Sequence, residues 1–115
     1  MCISAYNPVN EAFYIQASRG FTPDGIIKPD VTAPGVDIYG PFPKNRFGSM
    51  TGTSVAAAVT TGITALFMQQ YEDYVISGNA VRELLIRGAV RRGDEFPSRE
   101  WGYGTVDAYA SISFE

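Results

Sequence analysis

The strongest periodic pattern of apolar residues lies between residues 54 and 70. Its large members recur at spacings of three and four residues, which predicts a helix: Val55, Val59, Ile63, Leu66 and Phe67. The remaining faces carry mainly small residues rather than polar ones: Ala56, Ala57, Ala58, Gly62 and Ala65. A helix that is apolar nearly all round is predicted to be buried on most sides. A domain of 115 residues rarely hides a helix so fully.

Short apolar and aromatic runs predict strands elsewhere in the chain. Residues 2–6 and 13–17 have the composition of strands, and the first ends at an Asn-Pro pair. From residue 18 to residue 43, proline and glycine recur too often for any long element. Residues 36–39 fit there as a short extended piece, and residues 47–50 predict one more brief strand.

Capping residues mark further helices toward the C-terminus. Ser77 is a good N-cap for a helix over about residues 78–87, which carries an ordinary amphipathic stripe and is predicted to close at Gly88. A short helix is predicted to start from about Asp107. Neither repeats nor linkers interrupt the pattern, which is that of one domain or part of one.

Composition narrows the possible partners. Hydrophobic residues make up 45% and charged residues 18%, values of a globular chain that is poor in surface charge. A net charge of -3 and a pI near 4.8 provide no basic field for nucleic acid. The apolar stretch from Val55 to Met68 is too short to span a bilayer. We therefore expect neither nucleic acid nor a membrane as partner.

Metal, cofactor and disulfide chemistry lack a matching pattern as well. Cys2 is the single cysteine, so no internal disulfide can form. No cluster of acidic residues has the spacing of a metal site, and no motif predicts a cofactor. Asp30, Asp37 and Asp107 are predicted to be turn and cap residues. Trp101 and Tyr103, between glycines, are predicted to pack over the edge of a core.

The candidate chemistry lies at the start of the long helix, in Gly52-Thr53-Ser54. A hydroxyl there either caps the helix or attacks a carbonyl while backbone N–H groups stabilise the oxyanion. The tripeptide alone favours the capping interpretation. An alcohol also needs a base, and the chain contains no histidine. A Ser-Lys pair with Lys28 or Lys44 is a further possibility, although such a lysine must be desolvated beside the serine.

Three blocks of sequence, taken together, favour the catalytic interpretation of Ser54 over the capping one. The blocks are Lys28-Pro29-Asp30-Val31-Thr32-Ala33-Pro34-Gly35, Thr51-Gly52-Thr53-Ser54-Val55-Ala56-Ala57-Ala58, and Gly102-Tyr103-Gly104 with Val106-Asp107-Ala108. In order and spacing they resemble the C-terminal third of subtilisin-like serine proteases, and the resemblance covers essentially the whole chain. The finer pattern, including Arg87-Gly88-Ala89 and Arg99-Glu100-Trp101, is similar to clostridial germination proteases of the Csp type.

This resemblance implies an α/β fold, a parallel sheet flanked by helices, of which residues 1–115 form the C-terminal portion and which is incomplete as an isolated chain. It implies that Ser54 is the catalytic nucleophile and that Thr53 and Gly52 lie in the neighbourhood of the oxyanion hole. It assigns a structural role to the block from Lys28 to Gly35. The family's aspartate, histidine and oxyanion asparagine lie upstream in chain order, outside this chain.

The same resemblance implies a protein or peptide substrate and, as a partner, the remainder of the protease domain. Val55, Ala58 and Val59 depart from the methionine, proline and histidine frequent in the family, but none of these is a triad position. An extracellular or spore-associated location is implied only by the resemblance. The alternative is a pseudoprotease segment that binds a partner without catalysis. The isolated piece, with open sheet edges and an apolar helix, is predicted to self-associate.

Overall fold

Strands fill the first half of the chain and helices the second. A computed structural model describes residues 1–72 and 77–113. In chain order its elements are β1 (Ile3–Tyr6), β2 (Val31–Pro34), β3 (Ile38–Phe42), β4 (Arg46–Met50), α1 (Thr53–Gln70), α2 (Gly78–Gly88) and α3 (Ala108–Ile112).

Strands β1 and β2 form a parallel pair, whereas β3 and β4 form an antiparallel hairpin. The parallel register runs from Ile3 opposite Val31 to Tyr6 opposite Pro34. Thr105 forms a parallel bridge to Thr32 on the other edge of β2. Helix α1 packs against both strands of the pair. A parallel pair covered by helices agrees with the predicted α/β class.

The core lies between the parallel pair and the helices. Side chains alternate along a strand, so Val31 and Ala33 point to the same face of β2. Val31 joins Phe67 of α1 and a group of α2 residues: Val81, Leu84 and Leu85. Ala33 packs instead with Ala5 and Ala56, where small side chains let α1 approach the strands closely. The start of α1 is therefore held tightly over the C-terminal ends of β1 and β2.

The structure corrects part of the strand prediction. Residues 13–17 do not form a strand: Phe13 makes a single bridge to Tyr6, and a turn follows in which the Ala17 N–H donates to the Tyr14 carbonyl at 3.0 Å. Phe13 serves packing instead, with its ring 5.5 Å from that of Trp101. Strand β2, inside the Pro-rich block, was not predicted as a strand. The first strand and the one before the glycine turn are confirmed with small shifts, and the extended piece at 36–39 corresponds to β3.

Helix predictions are confirmed in position. Ser77 caps α2 by accepting from the Ala80 N–H at 3.1 Å, and Asp107 caps α3 by accepting from the Ala110 N–H at 2.9 Å. The predicted burial of α1 on most sides is wrong for this chain, because only Ala56, Thr60 and Phe67 are buried. Within residues 1–72 and 77–113, no helix is long and apolar enough to cross a bilayer.

Candidate active site

The turn that precedes α1 has a backbone conformation that only glycine adopts readily. Gly52 is the N-cap residue of α1, with φ 157° and ψ 165°. This region of backbone space is essentially closed to residues with a Cβ atom. The turn places Thr53 first and Ser54 second in the helix, with the Ser54 side chain exposed.

Neither hydroxyl at this helix start acts as a cap. The carbonyl of Gly52 accepts from the N–H groups of Val55 at 3.2 Å and Ala56 at 3.3 Å, and no side chain completes the cap. Within the described part of the chain, the N–H groups of Thr53 and Ser54 donate no hydrogen bond, as expected in the first helical turn. Free donors therefore lie next to an exposed hydroxyl, at the positive end of the α1 dipole.

Ser54 and Ser77 both lie at helix starts, but only Ser77 caps its helix, so substituting each one is expected to have a different effect on stability. Ser77→Ala removes the hydroxyl that accepts from Ala80, so we expect the free energy of unfolding to fall by about 1 kcal/mol. Ser54→Ala removes no cap bond, so we expect stability within about 0.5 kcal/mol of wild type, because alanine is also the better helix former. Urea denaturation of the intact protease, followed by circular dichroism, measures both changes. A loss for Ser54→Ala equal to that for Ser77→Ala would return Ser54 to a capping role.

A cavity of about 650 Å³ opens beside Ser54. Its lining comes from four parts of the chain: residues 2–4 in and before β1, the loop between residues 14 and 23, Lys28 with Pro29, and Gly52 to Ser54. Among the described residues, no carboxylate lines it, and its basic side chains are Arg19 and Lys28. The three predicted site residues, Gly52, Thr53 and Ser54, thus share one concave surface.

The Ser54 hydroxyl has no base beside it among the described residues. Ser54 Oγ makes no hydrogen bond to any described residue, and the sequence contains no histidine. Lys28 lies on the same cavity but its ammonium is bound to Asp30 at 2.8 Å, which leaves it engaged in an ion pair rather than beside Ser54. Among residues 1–72 and 77–113, no group of acidic, cysteine or histidine side chains is arranged to hold a metal ion.

Asp30 has a role that the sequence did not predict. It is fully buried, and its carboxylate accepts from the Cys2 N–H at 2.7 Å, Lys28 Nζ at 2.8 Å and Arg82 Nε at 2.7 Å. Its backbone also joins two segments, donating to the Cys2 carbonyl and accepting from the Tyr103 N–H, each at 2.8 Å. The prediction of a turn or cap residue is therefore wrong for Asp30, which ties β2 to α2.

The charge balance around Asp30 explains its ionisation. Burial by itself raises the pKa of Asp30, but hydrogen bonds from Lys28, Cys2 and Arg82 outweigh burial and hold that pKa below its ordinary value. The same bond to Asp30 raises the pKa of Arg82. The sequence contains only part of the signal for this cluster. An aspartate directly before an apolar strand is in a position to be buried, and a buried aspartate is almost always paired.

The aromatic residues of the Gly-rich loop, residues 101–104, are structural, as predicted. Trp101 is buried, with its ring centroid 5.9 Å from that of Tyr6. Tyr103 is half-buried beside Arg82, whose guanidinium lies 5.8 Å from the Tyr103 ring centroid. This loop therefore contacts Asp30 and Arg82, and it does not line the cavity beside Ser54.

Comparison with known proteins gives one consistent answer. The model of the subtilase family, peptidase family S8, matches residues 1–104. The chain is 37% identical over 103 residues to the C5a peptidase of Streptococcus pyogenes, covering 80% of this chain and 9% of that protein. It is 38% identical over 110 residues to the serine protease AprX of Bacillus subtilis, covering 84% of this chain and 24% of AprX.

Solved structures agree with these sequence relatives. The CspB protease of Clostridium perfringens superposes with a TM-score of 0.86 at 32% identity, covering 96% of this chain and 25% of CspB. The predicted fold, part of the subtilisin-like architecture, is thereby confirmed. This chain spans a quarter or less of the length of each of these three proteins.

Proposed function

Because the chain belongs to the subtilase family of proteases, we propose that residues 1–115 are the C-terminal portion of a subtilase catalytic domain and carry its nucleophile, Ser54. One observation supports this most directly. Ser54 stands exposed and uncapped at a helix start beside free N–H donors, on the wall of a cavity. A serine that served as a helix cap would instead accept a hydrogen bond from a backbone N–H, as Ser77 does.

In the proposed mechanism, Ser54 Oγ attacks the carbonyl carbon of a peptide bond. Its proton passes to a histidine from outside this chain, oriented by an aspartate also from outside. The oxyanion that forms is stabilised by the Ser54 N–H and by the dipole of α1, with Thr53 and Gly52 shaping that side of the oxyanion hole. Collapse of the intermediate expels the amine, which takes that proton from the histidine, and leaves an acyl-enzyme. Water then gives a proton to the histidine and attacks the acyl-enzyme, which releases the acid and returns the proton to Ser54 Oγ. The substrate is a peptide or protein.

The experiment is covalent labelling of the intact protease, which joins this chain to the segments that supply histidine and aspartate. A fluorophosphonate probe is expected to modify Ser54, located by peptide mass spectrometry, because such probes report an activated serine. This chain alone is expected to remain unlabelled and to hydrolyse no peptide. An intact protein with no label on Ser54 would favour the alternative, a pseudoprotease segment that binds a partner or regulates a related protease.

A finer assignment is that the parent protein is a germination protease of the Csp type. It is supported by the motifs at the Gly-rich loop and by the structural likeness to CspB. The remainder of the protease domain is then the main partner of this chain.

Isolated from that partner, the chain is expected to self-associate. Large apolar side chains are more than half exposed on α1 and on the hairpin, at Leu66, Met68, Tyr39 and Phe47. In the described part of the chain, each of the two sheets has two strands, and the outer edges of β1, β3 and β4 are covered by no further strand; such edges pair readily with another chain. Light scattering at rising concentration is expected to give masses above the 12.5 kDa of the monomer. A constant monomer mass would contradict this expectation.

A further inference from the structure

Gly35, directly after β2, is joined to the turn that carries Ser54. Its N–H donates to the Tyr6 carbonyl at the end of β1, at 3.0 Å, and its own carbonyl accepts from the Gly52 N–H at 2.7 Å. Two hydrogen bonds in series thus connect the end of the parallel pair to the residue that caps α1. Gly35 is buried, so both bonds are shielded from competing water.

The space around Gly35 is too small for any side chain. A Cβ atom there would lie 2.7 Å from the Gly52 carbonyl oxygen, 2.7 Å from the Ala5 Cβ and 3.1 Å from the Ala56 Cβ. Ala5 belongs to the buried core beneath α1, whereas Gly52 lies in a turn. Of the neighbours, the turn is therefore the part most easily displaced.

A second hydrogen bond joins the turn before α1 to the segment between β2 and β3. Thr51 Oγ1 accepts from the Asp37 N–H at 2.9 Å, just before Gly52. Asp37 itself has φ 54°, so the backbone between β2 and β3 is bent to present this N–H. Residues 35 and 37 of one segment thus hold residues 52 and 51 of the other.

We propose that Gly35 and Thr51 are positioning residues for the nucleophile: through these two bonds they set where Ser54 Oγ stands relative to the bound peptide carbonyl. The inference rests on the proposed function of Ser54. The geometry of attack is sensitive, since a misplacement of about 1 Å can cost about 100-fold in rate. A defect in positioning lowers kcat more than it changes KM, because Gly35 is buried and lines no part of the cavity.

The test measures kcat, KM and the rate of fluorophosphonate labelling in the intact protease. Gly35→Ala is expected to lower kcat and the labelling rate at least tenfold, with KM within about twofold of wild type. Thr51→Val is expected to lower kcat severalfold, and Thr51→Ser, which keeps the accepting hydroxyl, is expected to restore it. Gly40→Ala is the matched control, because a Cβ at Gly40 meets no atom within 4 Å.

Each outcome has a distinct meaning. If wild type is labelled and Gly35→Ala is folded with wild-type kcat, this inference is overturned while the proposed function stands. The same holds if kcat falls only in proportion to the folded fraction measured by circular dichroism. If Gly35→Ala does not fold, the Thr51 pair decides, and equal kcat for the valine and serine variants overturns the inference. A wild-type protein without labelling at Ser54 overturns the proposed function itself.

Discussion

Replacing Asp30 by alanine is expected to lower the free energy of unfolding by about 3 kcal/mol, because it leaves two cations without their buried partner. The side chain of Asp30 is completely buried, whereas those of Lys28 and Arg82 are 34% and 32% exposed. Partial solvation of these cations after the change keeps the expected loss at the lower end for a broken buried ion pair. Loss of the bond to the Cys2 N–H adds to it.

Urea denaturation of the intact protease measures this effect, with Asp94→Ala as the matched control. Asp94 is exposed in the loop after α2 and loses the same charge, so its expected change is within about 0.5 kcal/mol. A loss for Asp30→Ala no larger than that for Asp94→Ala would mean that the cluster contributes little net stability.

The pH dependence of this cluster has a definite sign. Since the pKa of Asp30 is lower in the folded chain than in the unfolded chain, its ionisation stabilises the fold above the ordinary carboxyl pKa. That contribution is lost as pH falls from the unfolded value, about 4, through the lower folded value. The stability difference between wild type and Asp30→Asn is therefore expected to shrink below pH 4. A difference that stayed constant down to pH 2 would contradict the lowered pKa.

The helices were predictable because their signals are local. The spacing of Val59, Ile63 and Phe67 marks α1, and Ser77 sits three residues before the N–H group that it caps. Strand β2 has no such signal, because its four residues lie among prolines and are extended by pairing with β1 and bridging to Thr105. Phe13 to Ala17 has the composition of a strand, but the Phe13 ring is used against Trp101.

The candidate site also has a part that the sequence predicts and a part that only the fold shows. Gly52, Thr53 and Ser54 are consecutive, so a motif is enough to bring them together. Asp30 and Arg82 are separated by 52 positions, and only the fold shows that they meet. The tripeptide also leaves the capping interpretation open, and the observed cap geometry is what separates Ser54 from Ser77.

The residues on the exposed face of α1 show why its burial was wrongly predicted. No charged residue occurs between Phe47 and Tyr71, yet ten of the 18 residues of α1 are exposed, Leu66 and Met68 among them. A surface helix normally carries charge on its outer face. The composition of α1 is thus that of a helix with protein on more sides than this chain supplies, which fits a chain that spans a quarter of CspB.

In the intact protease, Ser54→Ala is expected to reduce kcat for peptide hydrolysis by about 10⁶-fold, the size of loss known for a subtilisin without its nucleophile. The reason is chemical: in the proposed mechanism the acyl group is carried by Ser54 Oγ, and the adjacent hydroxyl of Thr53 occupies a different position in the first turn of α1. Initial rates on a fluorogenic peptide measure the loss, and KM of any residual activity reports whether the cavity still binds substrate.

Ser77→Ala is the control that makes this result specific. It is expected to lower stability by about 1 kcal/mol and leave kcat unchanged, whereas Ser54→Ala is expected to leave stability unchanged and abolish kcat. This crossed pattern cannot arise from unfolding, because the less stable variant is the active one. Retention of hydrolysis above about 1% of wild type by folded Ser54→Ala protein would show that another residue is the nucleophile.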